Sequence, residues 1–537
     1  MKKSTPIWLT IAIALIAFVA GLFIDRHYLA PTMNVDNDQK VDALLKLIAQ
    51  EYVDTVNLDR LIEKSIPEIL NNLDPHSTYY DAKSPKVTAE VLDGAVPDIG
   101  IAIIIFNDTI HVESTLPGGP SDIAGIIPGD RIITIDGQPA TIKTPTMTEV
   151  VRLLSGPDST QLTLGVRRHG QPKSLEFTVT RNKYRESSVD SYFMLDRNNG
   201  YVKVNQFSQS TLQDFIKALT KLQSEGAKRF MIDLRGNGGG YVEVAVRMAN
   251  EFLSSGEPIV SMHSRNKQYE SQYSSNGKGA FQNVEIAVLI DEYSASASEI
   301  FAGALQDNDR GLIVGRRSYG KGLVQKDFTL PDSSYIRLAI ARYHTPSGRC
   351  IQKDYQQATS NYDNELLERF KHGELYNSDS IKIDKSKMFT TRHGRTVYGS
   401  GGIIPDIFVA RDLDGINGYF IDVENAGLLQ RFAFTYCEKN RASLNQMSDY
   451  KQFLRTTPID NAIIKEFADF ATENGVAPRW YYINQARDVI LTRLKALIAR
   501  DIFGPHAYFY ILNRNDKTVQ VALRALNRYK ATFPIND

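Results

Sequence analysis

Ser296 and Lys321 are the two side chains whose types and settings fit a nucleophile and its base. Ser296 lies in Ser294-Ala-Ser296-Ala-Ser298-Glu299, where small neighbours let a carbonyl approach the hydroxyl, and EIFAGALQD begins a helical pattern behind it. A serine there meets a helix N-terminus, whose free N–H groups favour negative charge. The N–H of Ala297 would then face the oxyanion of a tetrahedral intermediate. Ser296 and Glu299 also fit an ordinary capping box. On that motif alone capping is the commoner explanation, and the residues downstream shift the balance.

Lys321 stands between Gly320 and Gly322, with Leu312-Ile313-Val314 before it and Leu323-Val324-Gln325 after it. Glycines let a strand end approach other backbone closely. To take a proton from Ser296 near neutral pH the amine must itself be neutral, which requires burial away from carboxylates. Gln325 follows four residues on, and its amide oxygen can accept from the amine and orient it. A rival chemistry uses the same residues, because Gly315 to Lys321 matches the start of a phosphate loop. Gly322 then occupies the position that needs Ser or Thr on magnesium, and LVQKDF continues as strand, which argues against a nucleotide site. Two SxxK matches, at Ser264 and Ser275, lack the companion motifs of penicillin-recognising enzymes. Upstream, the apolar run to Asp233 enters the turn Gly236-Asn237-Gly238-Gly239-Gly240. Its N–H groups could supply a second oxyanion donor, and a tight strand-to-helix turn explains the glycines equally well.

The runs LDPHSTYY (73–80), IDLRGNGGG (232–240), SASASEIFAGALQDNDR (294–310), SYGKGLVQ (318–325), RYHTPSGRCIQ (342–352) and GGIIPD (401–406) together resemble the carboxyl-terminal processing peptidases, or tail-specific proteases, of the S41 class. The resemblance spans roughly residues 40 to 410 and implies Ser296 as nucleophile, Lys321 as base and Gln325 as its orienting partner. It further implies an oxyanion hole from Ala297 and the turn Gly238, Gly239 and Gly240. The family carries a PDZ domain, and residues 97–181 match one with short apolar strands punctuated by Gly and Pro. Such a domain adds an extended peptide to a sheet edge and captures its carboxylate on backbone N–H groups. Ile99, Gly100 and Ile101 are the substrate-binding candidates. Asp98 stands where a glycine is usual, and its charge would repel a carboxylate unless Asp98 points away or pairs with Arg167 or Arg168. The function implied is a serine endopeptidase acting at or near the C-terminal tails of protein substrates. The alternative is a non-catalytic PDZ adaptor that binds C-termini on a peptidase-like scaffold.

The elements that must position these residues give an α/β multidomain expectation. It comprises an N-terminal membrane anchor or signal segment (1–30), a helical cap (31–90), a PDZ domain (91–185), an S41-type α/β serine peptidase core (186–410) and a C-terminal helical domain (411–537). Lys2 and Lys3 precede an apolar run over residues 7–24 with no clear cleavage site after it, which reads as an uncleaved anchor with its start in the cytoplasm. In a bacterium that means an inner-membrane enzyme with a periplasmic catalytic part. Residues 36–72 carry helical periodicity, and the family resemblance implies that they pack as a cap or a homodimer contact. From about 412 onward apolar residues recur at helical steps, in a segment expected to serve assembly or docking. Lys plus Arg equals Asp plus Glu at 62 each, so no basic field points to nucleic acid. No HExxH or CxxC cluster suggests a metal, and no cofactor is expected. Cys350 and Cys437 read as one disulfide or as two separate thiols.

Overall fold

A computed structural model describes residues 37–528 except 83–94, 107–108, 117, 141–146, 169, 186, 356–361, 363, 458 and 460. The apolar run at 7–24 lies outside the described residues, and no helix among those described is long and apolar enough to cross a membrane. The chain divides into two compact units, residues 1–73 and 74–537. In the first, α1 (Asn37–Glu51) and α2 (Leu58–Asn71) form a helical pair in sequence, and Asn57 caps α2 by accepting the N–H of Arg60 at 2.9 Å.

The second unit opens with β1 (Thr78–Tyr80) and then β2 (Ala95–Asp98). A small β-domain follows, built from β3 (Ile101–Phe106), β4 (Thr109–Thr115), α3 (Pro120–Ala124), β5 (Arg131–Ile135), β6 (Gln138–Pro139), α4 (Met147–Leu154), β7 (Gln161–Arg167) and β8 (Leu175–Thr180). Its sheet runs β3-β4-β5-β7-β8, antiparallel throughout, with β6 beside β5. Alternating residues such as Ile110 and Val112 or Leu162, Leu164 and Val166 turn inward and close on Val150 and Leu154 of α4. The chain enters and leaves this domain through β2 and β9 (Asn182–Arg185), which pair as a separate two-stranded ribbon.

The α/β core comprises β10 (Val189–Met194), β11 (Asn199–Val204), α5 (Thr211–Ser224), β12 (Arg229–Asp233), α6 (Val242–Asn250), β13 (Pro258–His263), β14 (Ser271–Ser274), β15 (Glu285–Ile290), α7 (Ala297–Asp307), β16 (Leu312–Gly315), β17 (Leu323–Thr329), β18 (Tyr335–His344), α8 (Glu365–Lys371), the hairpin β19 (Met388–Thr390) and β20 (Thr396–Tyr398), and β21 (Ile407–Phe408). Its main sheet has the order β10-β11-β12-β15-β16-β21, parallel from β11 onward. A second, antiparallel sheet runs β1-β18-β13-β14 with β17 on β18.

Helices follow to the C-terminus: α9 (Gly418–Asn425), α10 (Leu428–Leu444), α11 (Tyr450–Thr456), α12 (Asn461–Glu473), α13 (Trp480–Gln485), α14 (Arg487–Phe503), α15 (Pro505–Asn513) and α16 (Lys517–Arg528). Here the structure departs from the expected boundary at 411. On the main sheet Phe230, Ile232, Ile286, Val288 and Ile313 face α5, α6 and α7. The alternate residues Met231, Ala287, Leu289, Leu312 and Val314 pack on Val519, Ala522 and Leu526 of α16. A parallel sheet must be covered on both faces, and the last helix supplies the second cover. The reason is visible in the strands, which are continuous apolar runs with no polar face to give to water. Both cysteines are free thiols, Cys437 buried in the helical segment.

Leu526 is completely buried in this second cover. Leu526→Ala is expected to destabilise the chain by about 2–5 kcal/mol, read as a lowered thermal unfolding midpoint with the core reporting the loss. An unfolding transition confined to the helical segment would contradict the shared layer.

Candidate active site

The site forms where β15, α7 and the loop between β16 and β17 meet. After β15 the chain turns through Asp291 to Ser294, and that turn is fastened to the glycine turn after β12. The Asp291 carboxylate accepts the N–H of Gly236 at 2.9 Å, the Ser294 hydroxyl donates to Leu234 O at 2.8 Å, and Ala295 N–H and Ser298 Oγ both donate to Asn237 O at 3.0 and 2.9 Å. Ser296 then takes φ 55° and ψ −115° at the head of α7. A side chain other than glycine holds such backbone only when its surroundings enforce it.

The enforcing group is Glu299. Its Oε2 accepts the N–H of Ser296 at 2.9 Å and the N–H of Lys321 at 2.9 Å, and its Oε1 accepts the N–H of Gly320 at 2.7 Å and the hydroxyl of Ser318. One carboxylate therefore carries the backbone of both candidate residues. Burial pushes the Glu299 carboxyl up to about 7 against the pull of these four donors. Tyr343 adds a second tie, its hydroxyl lying 3.1 Å from Ser296 O and also bonding Lys321 O.

The Lys321 amine donates to Gln325 Oε1 at 2.8 Å, and Gln325 Nε2 donates to the backbone O of His76 at 2.6 Å. The LDPHSTYY loop is stiffened to hold that carbonyl, because Asp74 accepts the N–H groups of His76 and Ser77, both at 2.8 Å. Burial first, and the Arg337 charge second, lower the Lys321 amine below its ordinary value, while the Glu299 and Asp74 carboxylates act against them. Burial and the Lys321 charge also lower the His76 imidazole, to about 4. A half-buried amine so shifted has a larger neutral fraction with which to accept a proton.

The sequence candidates thus fall into two sets. Ser296, Lys321 and Gln325 share one region, and the Ser296 hydroxyl makes no hydrogen bond to Lys321 among the described residues. Gly239 lies directly behind the serine, where an added Cβ would stand 2.8 Å from Ala295 O and Ser296 Cβ and 3.0 Å from Ala297 N, so only glycine fits. Its own N–H, however, donates to Asn237 Oδ1 at 2.8 Å. Of the proposed oxyanion donors, Gly239 is therefore engaged internally in this conformation. Gly238 is exposed at the turn, Gly240 bridges to Phe207, and Ala297 is the first residue of α7. Ile99, Gly100 and Ile101 sit apart from this region, at the head of β3, which pairs only with β4 and so leaves its other edge open among the described residues. Arg168, one of the two arginines available to Asp98, forks onto Asp130 with two 2.8 Å bonds.

Glu299, Tyr343 and the His76 carbonyl were not read as site groups from sequence. The capping-box spacing was the one signal for Glu299. Replacing a Glu299 oxygen with an amide sets an NH2 against convergent donors and displaces the serine from the lysine. Glu299→Gln is expected to slow covalent labelling of Ser296 by a serine-directed phosphonyl fluoride about a hundredfold, with the folded state retained by circular dichroism; an unchanged labelling rate would remove Glu299 from the site.

The sequence matches Peptidase family S41 over residues 198–360, a PDZ domain over 111–168, and a family of unknown function over 419–504. It is 34% identical over 350 residues to the carboxy-terminal-processing protease of Bartonella bacilliformis, covering 63% of this chain and 80% of that one. To the carboxy-terminal processing protease CtpB of Bacillus subtilis it is 30% identical over 352 residues, covering 64% and 71%. Among solved structures, the photosystem II D1 C-terminal processing protease is 25% identical with a TM-score of 0.35, covering 74% of this chain and 94% of that one. With its serine at the head of a core helix and its PDZ domain on a two-stranded ribbon, the chain belongs to the carboxy-terminal processing proteases of peptidase family S41, a family of serine-type peptidases.

Proposed function

We propose that Ser296, Lys321 and Gln325 form the catalytic arrangement of an endopeptidase that cuts protein substrates at or near their C-terminal tails. Ser296 Oγ attacks the scissile carbonyl and its proton passes to Lys321 Nζ. The tetrahedral oxyanion is received at the N-terminus of α7 by the N–H of Ala297, with the Gly238 to Gly240 turn beside it. Collapse expels the amine with a proton from Lys321 and leaves an acyl-enzyme, which water attacks with the same lysine as base. Gln325 aims the amine throughout. The observation that carries this reading is the half-buried Lys321 amine held at 2.8 Å by Gln325, with its backbone on the same carboxylate as that of Ser296.

The PDZ domain is assigned the tail, with Ile99, Gly100 and Ile101 at the carboxylate end of the open β3 edge. Ser296 and Lys321 are not hydrogen-bonded in this conformation, so joining them is a step in the cycle, and substrate engagement is the event that drives it. Residues 7–24 are proposed as a membrane tether that places the catalytic part in the periplasm, on the strength of Lys2, Lys3 and the apolar run. A chain lacking residues 1–30 should then move from the membrane pellet to the soluble fraction with its activity intact; retention in the pellet would reject the tether.

Ser296→Ala and Lys321→Ala are each expected to abolish cleavage of an unfolded, tail-bearing protein while leaving the fold intact. Lys321→Arg should fail as completely, because a guanidinium does not become neutral. The neutral amine is the active form, so kcat/KM should rise with pH on a limb set by Lys321, reaching its plateau below the ordinary lysine range because burial lowers that amine. Fragments followed by mass spectrometry decide the matter: full hydrolysis by either alanine variant, or tail binding by the unaltered chain without any cleavage, would reject the assignment.

A further inference from the structure

The proposed mechanism uses nothing between β21 and α16, yet α10 and α14 make a defined set of contacts with the PDZ domain. The Glu113 carboxylate on β4 accepts Gln430 Nε2 of α10 at 2.7 Å and pairs with Arg500 of α14. One turn along α10 from Gln430, the buried Phe434 ring meets the buried His111 ring of β4 edge-on, with centroids 5.2 Å apart. At the turn into β5, Gly129 has φ +92°, and an added Cβ would collide with the carboxylate of Glu438, also on α10. Arg441 holds Glu438 at 2.9 Å and Asp501 of α14 at 3.0 Å, so the two helices present one braced surface.

The same helices lead straight onto the peptidase core. Past Gly504, His506 Nδ1 lies 3.1 Å from Ser191 Oγ and 3.3 Å from Tyr192 N on β10, Tyr510 meets Phe193 edge-on at 5.3 Å, and Asp516 pairs with Arg235 at 2.7 Å. Ala507 and Ile511 of α15 belong to the same apolar cluster as α10, α12 and α14. By contrast, the covalent connection of the PDZ domain to the core on its own side is the ribbon β2–β9, four residue pairs long. An isolated two-stranded ribbon is a weak support. The contacts named here fall on β4 and the turn into β5, one strand in from the open edge of β3.

We propose that the helical segment from α9 to α15 is a bracket that fixes the PDZ domain in orientation over the peptidase, through Glu113 and Arg500 and the His111–Phe434 contact. It thereby sets which peptide bond of a captured tail reaches Ser296. The docking stands on the contacts alone; its effect on cleavage rests on the proposed function. A fixed orientation raises the effective concentration of the scissile bond at the serine, and a loose one forfeits that gain.

The test uses the full chain with Glu113→Arg, Arg500→Glu and the double exchange, read by amide hydrogen exchange and by hydrolysis. Each single variant should speed exchange across 109–115 and 428–444. Each should also lower kcat/KM for a tail-bearing protein about tenfold or more, with hydrolysis of a short peptide lacking a tail unaltered. The double exchange restores the opposed charges and should restore both readouts. Unchanged exchange in both single variants overturns the bracket, as does a double variant no better than the singles. Faster cleavage of the tail-less peptide in the singles would also overturn it, by making the contact an inhibitory latch. If exchange responds as expected and no variant cleaves any substrate, including the unaltered chain, the bracket stands and the catalytic reading falls.

Discussion

A buried carboxylate joining two chain segments is the constraint on which the site depends. Glu299 lies one turn into α7 and holds four donors, three of them backbone N–H groups. Removing a carboxylate from water is costly unless its lone pairs are filled, and here they are filled by the Ser296 turn on one side and the loop from Ser318 to Lys321 on the other. Each loop would otherwise be free to drift. The unusual backbone of Ser296 persists because Glu299, Tyr343 and Gly239 leave it no alternative position.

The Lys321 amine is positioned by a longer relay. Gln325 belongs to β17, and its amide is fixed at one end by Lys321 and at the other by a carbonyl in the loop leading into β1. That loop is in turn stiffened by Asp74 and enters the antiparallel sheet through the pairing of β1 with β18. The lysine is therefore aimed by a strand register. Its lowered basicity follows from burial in the same place.

Much of this could be read in the sequence, and the parts that could not have physical reasons. The apolar run to Asp233 announced a buried strand, and the glycine turn after it announced a strand-to-helix corner. Ser296 and Gln325 were visible because helix starts and four-residue spacings are local patterns. Glu299 was visible only in half, since a capping box records the bond to Ser296 and is silent about Lys321, 22 residues away. The partner of Gln325 was invisible, because a backbone carbonyl 249 residues distant carries no sequence identity. The assignment of α16 to the core was missed for a related reason. Val519, Ala522 and Leu526 show that this helix has a buried face and do not say which surface it covers.

That cover has a consequence for the order in which the molecule is made. Until the ribosome has delivered Leu526, this apolar side of β12, β15 and β16 lacks its α16 cover, so the nascent sheet that leads into the Ser296 turn is still open there. Synthesis thus runs from strands to cover: the face of the sheet is laid down first, and the helix that shields it follows about two hundred residues later.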